Sequence, residues 1–295
     1  MYTTLISVSQ LRSLQQEGAR LMVFDCSFDL INLAAGPAQY RQAHVPGAVY
    51  AQLDRDLADP GIVTPDGRRH PHPDAASGGR HPLPSREKFA MWLCSVGFAN
   101  DMQAVVYDRN GANYCGRLWW MLKWAGHEAV AVLDGGLQAW EAEGCAVTAR
   151  DEPAHFQSNF ALGPELRSLA TTQTVANRLG QPGQTLIDAR AAARYRGEVE
   201  PLDPVAGHIP GALNRPFNTN IGADGRFKPA SVLRAEFEQL LDGRDAATVV
   251  HQCGSGVSAV PNLLAMEVAG LGPTMLYAGS WSEWCADPAR PVERG

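Results

Sequence analysis

A chain of 295 residues is long enough for two domains, each burying its own core, and a content of 45% hydrophobic and 19% charged residues is that of a globular protein. The formal net charge of −6 argues against nucleic acid or an acidic membrane surface as the main partner. No apolar run approaches the roughly 20 residues of a membrane span, and Met1-Tyr2-Thr3-Thr4-Leu5 has neither the basic start nor the long apolar core of a secretory signal, so a cytoplasmic protein acting on small molecules is expected.

In chain order, Leu21-Met22-Val23-Phe24-Asp25 reads as a buried strand ending in an acid, and His44-Val45-Pro46-Gly47-Ala48 follows about twenty residues later. An irregular stretch from Ala58 to Pro84 comes next, rich in Pro and Gly and holding His70, His72 and His81 with Asp66 and Asp74. A metal reading of that cluster lacks its remaining ligands, and no metal is expected. Gln103 to Tyr107 reads as a second strand, followed by Asp108, with helical segments at Arg117 to Ala125 and Gln138 to Glu143.

The second half repeats this order. Thr185-Leu186-Ile187-Asp188 is again a strand ending in Asp, and His208-Ile209-Pro210-Gly211-Ala212 again follows. Asp25 and Asp188 stand 163 positions apart and His44 and His208 stand 164 apart, so the register of a duplication is nearly kept. Short apolar strands alternating with helical segments predict an α/β fold with a mostly parallel sheet in each half. The domains are expected at 1–145 and 165–295, with 146–164 as a polar linker. The six cysteines, at 26, 94, 115, 145, 253 and 285, form no C-x-x-C pair and are read as free thiols.

Cys253 stands apart from the other five. An apolar run, Ala247 to Val250, leads into Cys253-Gly254-Ser255-Gly256-Val257-Ser258, and a helical run, Asn262 to Ala269, follows. A strand-to-helix turn containing two glycines can aim its N–H groups inward, and the helix dipole adds positive charge, so the cradle favours an anion. That anion could be the thiolate, a persulfide built on it, or a bound oxyanion. Phosphoryl transfer at such a loop uses Cys-x5-Arg, with the arginine forking onto the oxyanion. Here the sixth residue after Cys253 is Ala259, and the loop carries no cation, which selects sulfur transfer. At the matching place in the first half stands Asp108, so only the second half is expected to be active.

The loop, the duplication and the paired His-(Val/Ile)-Pro-Gly-Ala motifs make the chain resemble the tandem-domain rhodaneses over nearly its full length. Its Cys-Gly-Ser-Gly-Val-Ser loop is most similar to that of the 3-mercaptopyruvate sulfurtransferases. The resemblance implies two rhodanese-like domains, the second catalytic. It also implies a Cys253 persulfide that carries sulfur from a small-molecule donor to a thiol such as thioredoxin, or to cyanide, without a cofactor. Gly254, Gly256, Val257 and Ser258 would form the cradle and Arg194 would clamp the donor carboxylate. Asp54 and His81 would work with Ser255, and the Ala58 to Pro84 stretch would fold over Cys253. A second arginine common in that family has no counterpart shortly after Arg194, where Glu200-Pro201-Leu202-Asp203-Pro204 stands, which keeps thiosulfate open as the donor. A non-turnover persulfide-binding or regulatory module is the alternative of another class.

Overall fold

Leu21–Asp25 and Thr185–Asp188 form the strands expected of them, and the same sheet assembles around each. The computed structural model describes residues 1–63 and 69–295, which form two compact units. The first comprises Met1–Ala58, Pro84–Leu166 and Ile221–Phe227; the second comprises Asp59–Leu83, Arg167–Asn220 and Lys228–Gly295. Residues 146–164 therefore run with the first unit, and most of the Pro- and His-rich stretch belongs to the second. Asp66 of that stretch lies outside the described residues.

In chain order the strands are β1 (Leu5–Ile6), β2 (Leu21–Asp25), β3 (Val49–Tyr50), β4 (Ile62–Val63), β5 (Arg69–His70), β6 (Gln103–Tyr107), β7 (Val130–Leu133), β8 (Thr185–Asp188), β9 (Leu213–Asn214), β10 (Val249–Gln252) and β11 (Met275–Leu276). The first unit holds a parallel sheet in the order β1-β7-β6-β2-β3. The second repeats it as β11-β10-β8-β9, with a parallel bridge from Leu169 to Leu276 where β1 would lie. β4 and β5 form a separate antiparallel pair in the second unit. The central strands are buried along their length, save the half-buried Leu21 that opens β2, which is why they read as apolar runs and not as alternating ones.

Register fixes where the chemistry falls. Asp25 pairs with Tyr107 and Asp188 with Gln252, so the next residues, Asp108 and Cys253, leave the carboxyl ends of equivalent central strands. Ligands of parallel α/β sheets bind at that end. β10 starts two residues later than the apolar run suggests. Asp245 accepts from the Ala247 N–H at 2.9 Å and the Thr248 hydroxyl donates to the Asp245 carbonyl at 2.7 Å, closing a turn of 3₁₀ helix over Ala246–Thr248. His251 and Gln252 are consequently strand residues, fully buried. Burial, and secondarily Arg215, push the His251 imidazole down to about 3, so it stays neutral and serves the core.

The two His-Pro-Gly-Ala motifs are structural clasps. His44 stacks on Tyr40 with ring centroids 4.0 Å apart, while the Tyr40 hydroxyl donates to the Ala48 carbonyl at 2.7 Å. His208 stacks on Tyr195 at 3.7 Å, and the Tyr195 hydroxyl donates to the Ala212 carbonyl at 2.5 Å. Glu152 receives the Gly47 N–H at 2.8 Å, and Glu293 receives the Gly211 N–H at 2.9 Å. A motif repeated in both halves thus closes each unit on itself.

Around the second sheet, Val175, Leu186, Ile209, Val250, Tyr277, Trp281 and Trp284 pack as one core. In the first unit, every residue of the helix Cys115–Trp124 is buried. No helix among the described residues is long and apolar enough to cross a membrane.

Candidate active site

Cys253 follows directly on β10 with 2% of its surface exposed, and the helix Val260–Val268 begins seven residues later. The loop is locked from behind. The Cys253 carbonyl accepts from the Trp281 N–H at 3.0 Å and the Gly254 carbonyl from the Ser282 N–H at 2.9 Å. Gly256 has φ +73°, and a Cβ there would meet the Ala278 carbonyl oxygen at 2.2 Å, so both conformation and space demand glycine. Among the described residues, the N–H groups of Gly254, Ser255, Val257 and Ser258 donate to no protein acceptor.

The equivalent turn of the first unit shows what such a ring of donors holds. The Asp108 carboxylate accepts from Asn110 at 2.8 Å and Ala112 at 3.1 Å on one oxygen, and from Tyr114 at 2.8 Å and Cys115 at 2.9 Å on the other. The chain fills that cradle with its own anion, at the start of the helix Cys115–Trp124. A cavity of about 180 Å³ lies beside it, lined among others by Arg109, Gly135, Ile221 and Phe227. It belongs to the first unit.

Other expected site residues gather in the second unit. The Ser255 hydroxyl and His81 Nδ1 are 2.7 Å apart, both groups being buried. His81 reaches this position because its segment is pinned to the second unit: the Arg80 N–H donates to Ser282 Oγ at 3.0 Å and the Gly78 N–H to Glu283 at 3.1 Å. Arg194, on the short helix Ala192–Tyr195, donates to Glu200 at 2.6 Å and to Asp203 at 3.2 Å. Val257 is buried in the loop wall and Ser258 is partly exposed. Asp54 lies on the helix Leu53–Asp56, which belongs to the first unit. Of the remaining histidines, His72 pairs with Asp74 and His70 is exposed on β5. Trp281 and Trp284 are wholly buried core residues, their ring N–H groups satisfied by the carbonyls of Val205 and Pro291 at 2.9 Å each.

Three residues escaped the sequence reading. Arg190 lies buried between Asp188 and Glu200, with its guanidinium over the Trp281 ring at 4.9 Å. Burial opposes its charge, but Asp188, Glu200 and Cys253 together raise its pKa above the ordinary arginine value. Arg80 brings a second guanidinium to the loop, from a segment far in sequence from the Glu200 to Pro204 stretch, where no second arginine stands. A Cβ on Gly254 would lie 3.1 Å from Arg80 Nη2 and 3.5 Å from Arg194 Nη1. The short spacing from Arg80 to His81 was the available signal, since a residue pinned at Ser255 brings its neighbour along.

Ser280 is the third. It accepts the Cys253 N–H at 3.1 Å, donates to the Tyr277 carbonyl at 2.8 Å, and does so at φ +54°. The matching residue of the first unit is Gly136, at φ +59°. A serine therefore stands in a left-handed position that the duplicate gives to glycine, and the hydrogen bond to the cysteine N–H is what the serine adds. Ser280→Ala keeps the strained conformation and loses the bond, so it should cost about 2 kcal/mol or more. Ser280→Gly relieves the strain and should cost less. Urea unfolding of both variants checks this ordering, and an alanine variant at least as stable as the glycine one would refute it.

The likeness to known proteins agrees with this geometry. The model of the rhodanese-like domain matches residues 7–143 and again 171–287. The chain is 44% identical over 299 residues to "Probable 3-mercaptopyruvate sulfurtransferase" of Pseudomonas aeruginosa, covering 98% of this chain and 100% of that protein. It is 34% identical over 291 residues to bovine (Bos taurus) thiosulfate sulfurtransferase, covering 94% and 90%. Among solved structures, SseA of Escherichia coli, a 3-mercaptopyruvate sulfotransferase, superposes with a TM-score of 0.76 at 27% identity over 95% of this chain and all of that one. With two matched domains spanning most of its length, the chain belongs to the rhodanese-like family.

Proposed function

We propose that this protein is a sulfurtransferase that moves sulfur from 3-mercaptopyruvate through a persulfide on Cys253 to a thiol acceptor such as thioredoxin, or to cyanide. The observation that carries the reading is the loop itself: a cysteine followed by N–H groups at 254, 255, 257 and 258 that meet no protein acceptor among the described residues, in the fold position where the duplicate domain holds a carboxylate on four N–H bonds. The Cys253 thiolate attacks the donor sulfur and an S–S bond forms as the donor C–S bond breaks. The electron pair of that bond passes to the pyruvate enolate, which takes up a proton. Ser255, bonded to His81, supplies the relay for that proton. Attack of the acceptor on the outer sulfur then releases the Cys253 thiolate, and no cofactor takes part. Asp54 is assigned to support this relay through its sequence position alone. A cytoplasmic setting suits free thiols of this kind.

Arg194 is the carboxylate clamp, and a charge-assisted hydrogen bond of about 1.5–3 kcal/mol gives 3-mercaptopyruvate roughly a ten- to a hundredfold advantage when it forms in the transition state. Thiosulfate is the second reading, favoured by the guanidinium of Arg80 beside Gly254. Steady-state kinetics with both donors decide between them. The kcat/KM should be higher for 3-mercaptopyruvate, and Arg194→Ala should lower it ten- to a hundredfold. A value for thiosulfate equal to or above that for 3-mercaptopyruvate would make thiosulfate the donor.

A further inference from the structure

Arg80 and Arg194 approach Gly254 from separate segments of the second unit and converge on one acid. Arg80 Nη1 donates to one oxygen of Asp203, and Arg194 Nη2 reaches the other at 3.2 Å. Asp203 is 4% exposed in its side chain, and burial, foremost, raises its pKa above the ordinary carboxylate value despite the two arginines. The acid is therefore held at the cost of desolvation, between two forks that point at the cysteine loop. Neither fork is saturated. Arg80 Nε is buried with no hydrogen-bond partner, and Arg80 Nη2 and Arg194 Nη1 are the atoms nearest a Cβ built on Gly254. A side chain at position 254 would meet Arg80 Nη2 at 3.1 Å, so glycine lets both guanidiniums lie close against the loop.

From this arrangement we infer that Arg80 and Arg194 together form a two-guanidinium seat for the carboxylate of a 2-oxo-acid thiol, with Asp203 as its resident counter-ion. The inference rests on the sulfur-transfer reading and adds to it the residue that reads the donor's charge. Two forks hold a planar carboxylate in one orientation, with the donor carbon chain directed toward the loop. Asp203, together with Glu200, which Arg194 also meets at 2.6 Å, offsets the charges of the two guanidiniums. Removing the Asp203 charge leaves a net +1, which strengthens the hold on a compact dianion such as thiosulfate more than on a monoanionic carboxylate.

The test compares 3-mercaptopyruvate with 1-mercaptopropan-2-one, the same thiol ketone without its carboxylate. In the wild-type protein the ratio of kcat/KM values measures recognition of the carboxylate. Arg80→Gln should lower that ratio about ten- to a hundredfold through KM, with a far-UV circular dichroism spectrum matching wild type to certify the fold. Arg80→Lys, which keeps the charge without the fork, should fall between the two and carries the same test should the glutamine variant not fold. Asp203→Asn should raise kcat/KM for thiosulfate relative to 3-mercaptopyruvate. A donor ratio unchanged in both Arg80 variants would overturn the seat while leaving the sulfur-transfer reading intact. That reading fails separately, by the wild-type protein taking no sulfur from any donor.

Discussion

Cys253→Ser is expected to lose sulfur transfer by at least three orders of magnitude, roughly the scale of removing a catalytic nucleophile, with either donor and any acceptor. The change keeps size, burial and the backbone contacts with Trp281 and Ser280, so the fold should persist. What disappears is the chemistry. A serine hydroxyl is scarcely ionised near neutral pH, and an oxygen cannot store a sulfane sulfur that a thiol later removes. Intact mass after incubation with 3-mercaptopyruvate should show one added sulfur on the wild-type chain, removable by dithiothreitol, and none on the variant. Cys26 and Cys115 do not substitute: both are fully buried, and desolvation, with Asp25 and Asp108 adding to it, raises both thiols well above the usual range. Sulfur added to the serine variant at the same rate as to wild type would move the nucleophile elsewhere.

Asp108→Ala should destabilise the protein by about 3–5 kcal/mol although Asp108 takes no part in sulfur transfer. Four backbone N–H groups lose a charged acceptor in a place 1% exposed. Each orphaned buried donor costs about 1–3 kcal/mol before water or small rearrangements relieve part of it. Asp108→Asn keeps one acceptor oxygen and turns an NH2 group toward N–H donors, so it should cost nearly as much. The cradle also predicts a rescue: millimolar sulfate or phosphate should raise the melting temperature of the alanine variant more than that of wild type. Persulfide formation on Cys253 should survive below the melting range. An alanine variant that melts with the wild type, in the presence and absence of the anion, would show that the carboxylate does not hold this loop.

The comparison of Asp108 with Cys253 also shows how much of the site was legible. Duplication is a property of spacing, so two strands ending in Asp, two His-Pro-Gly-Ala motifs and one glycine-flanked cysteine at the place of an aspartate could be read without coordinates. The motif's function could not, because the stacking of His44 on Tyr40 and of His208 on Tyr195 closes turns between residues 4 and 13 positions apart. The start of β10 was misjudged for a local reason. The side chain of Asp245 and the hydroxyl of Thr248 draw two apolar-looking positions into a turn.

By itself the sequence determined the α/β class, the two-fold repetition and the placing of a glycine-flanked cysteine in one half where the other carries an aspartate, since each depends on residue type and periodicity along the chain. Tertiary structure alone decided which charges meet at the loop. Arg80 and His81 lie more than 170 positions before Cys253, yet they join the second unit because Ser282, Glu283 and Ser255 hold their segment there. Asp203 becomes a shared counter-ion only because Arg80 and Arg194 converge on it. The physical reason is range: backbone conformation and hydrophobic period are set by near neighbours, whereas charge pairing in a buried site depends on distances through space, which only the folded chain defines.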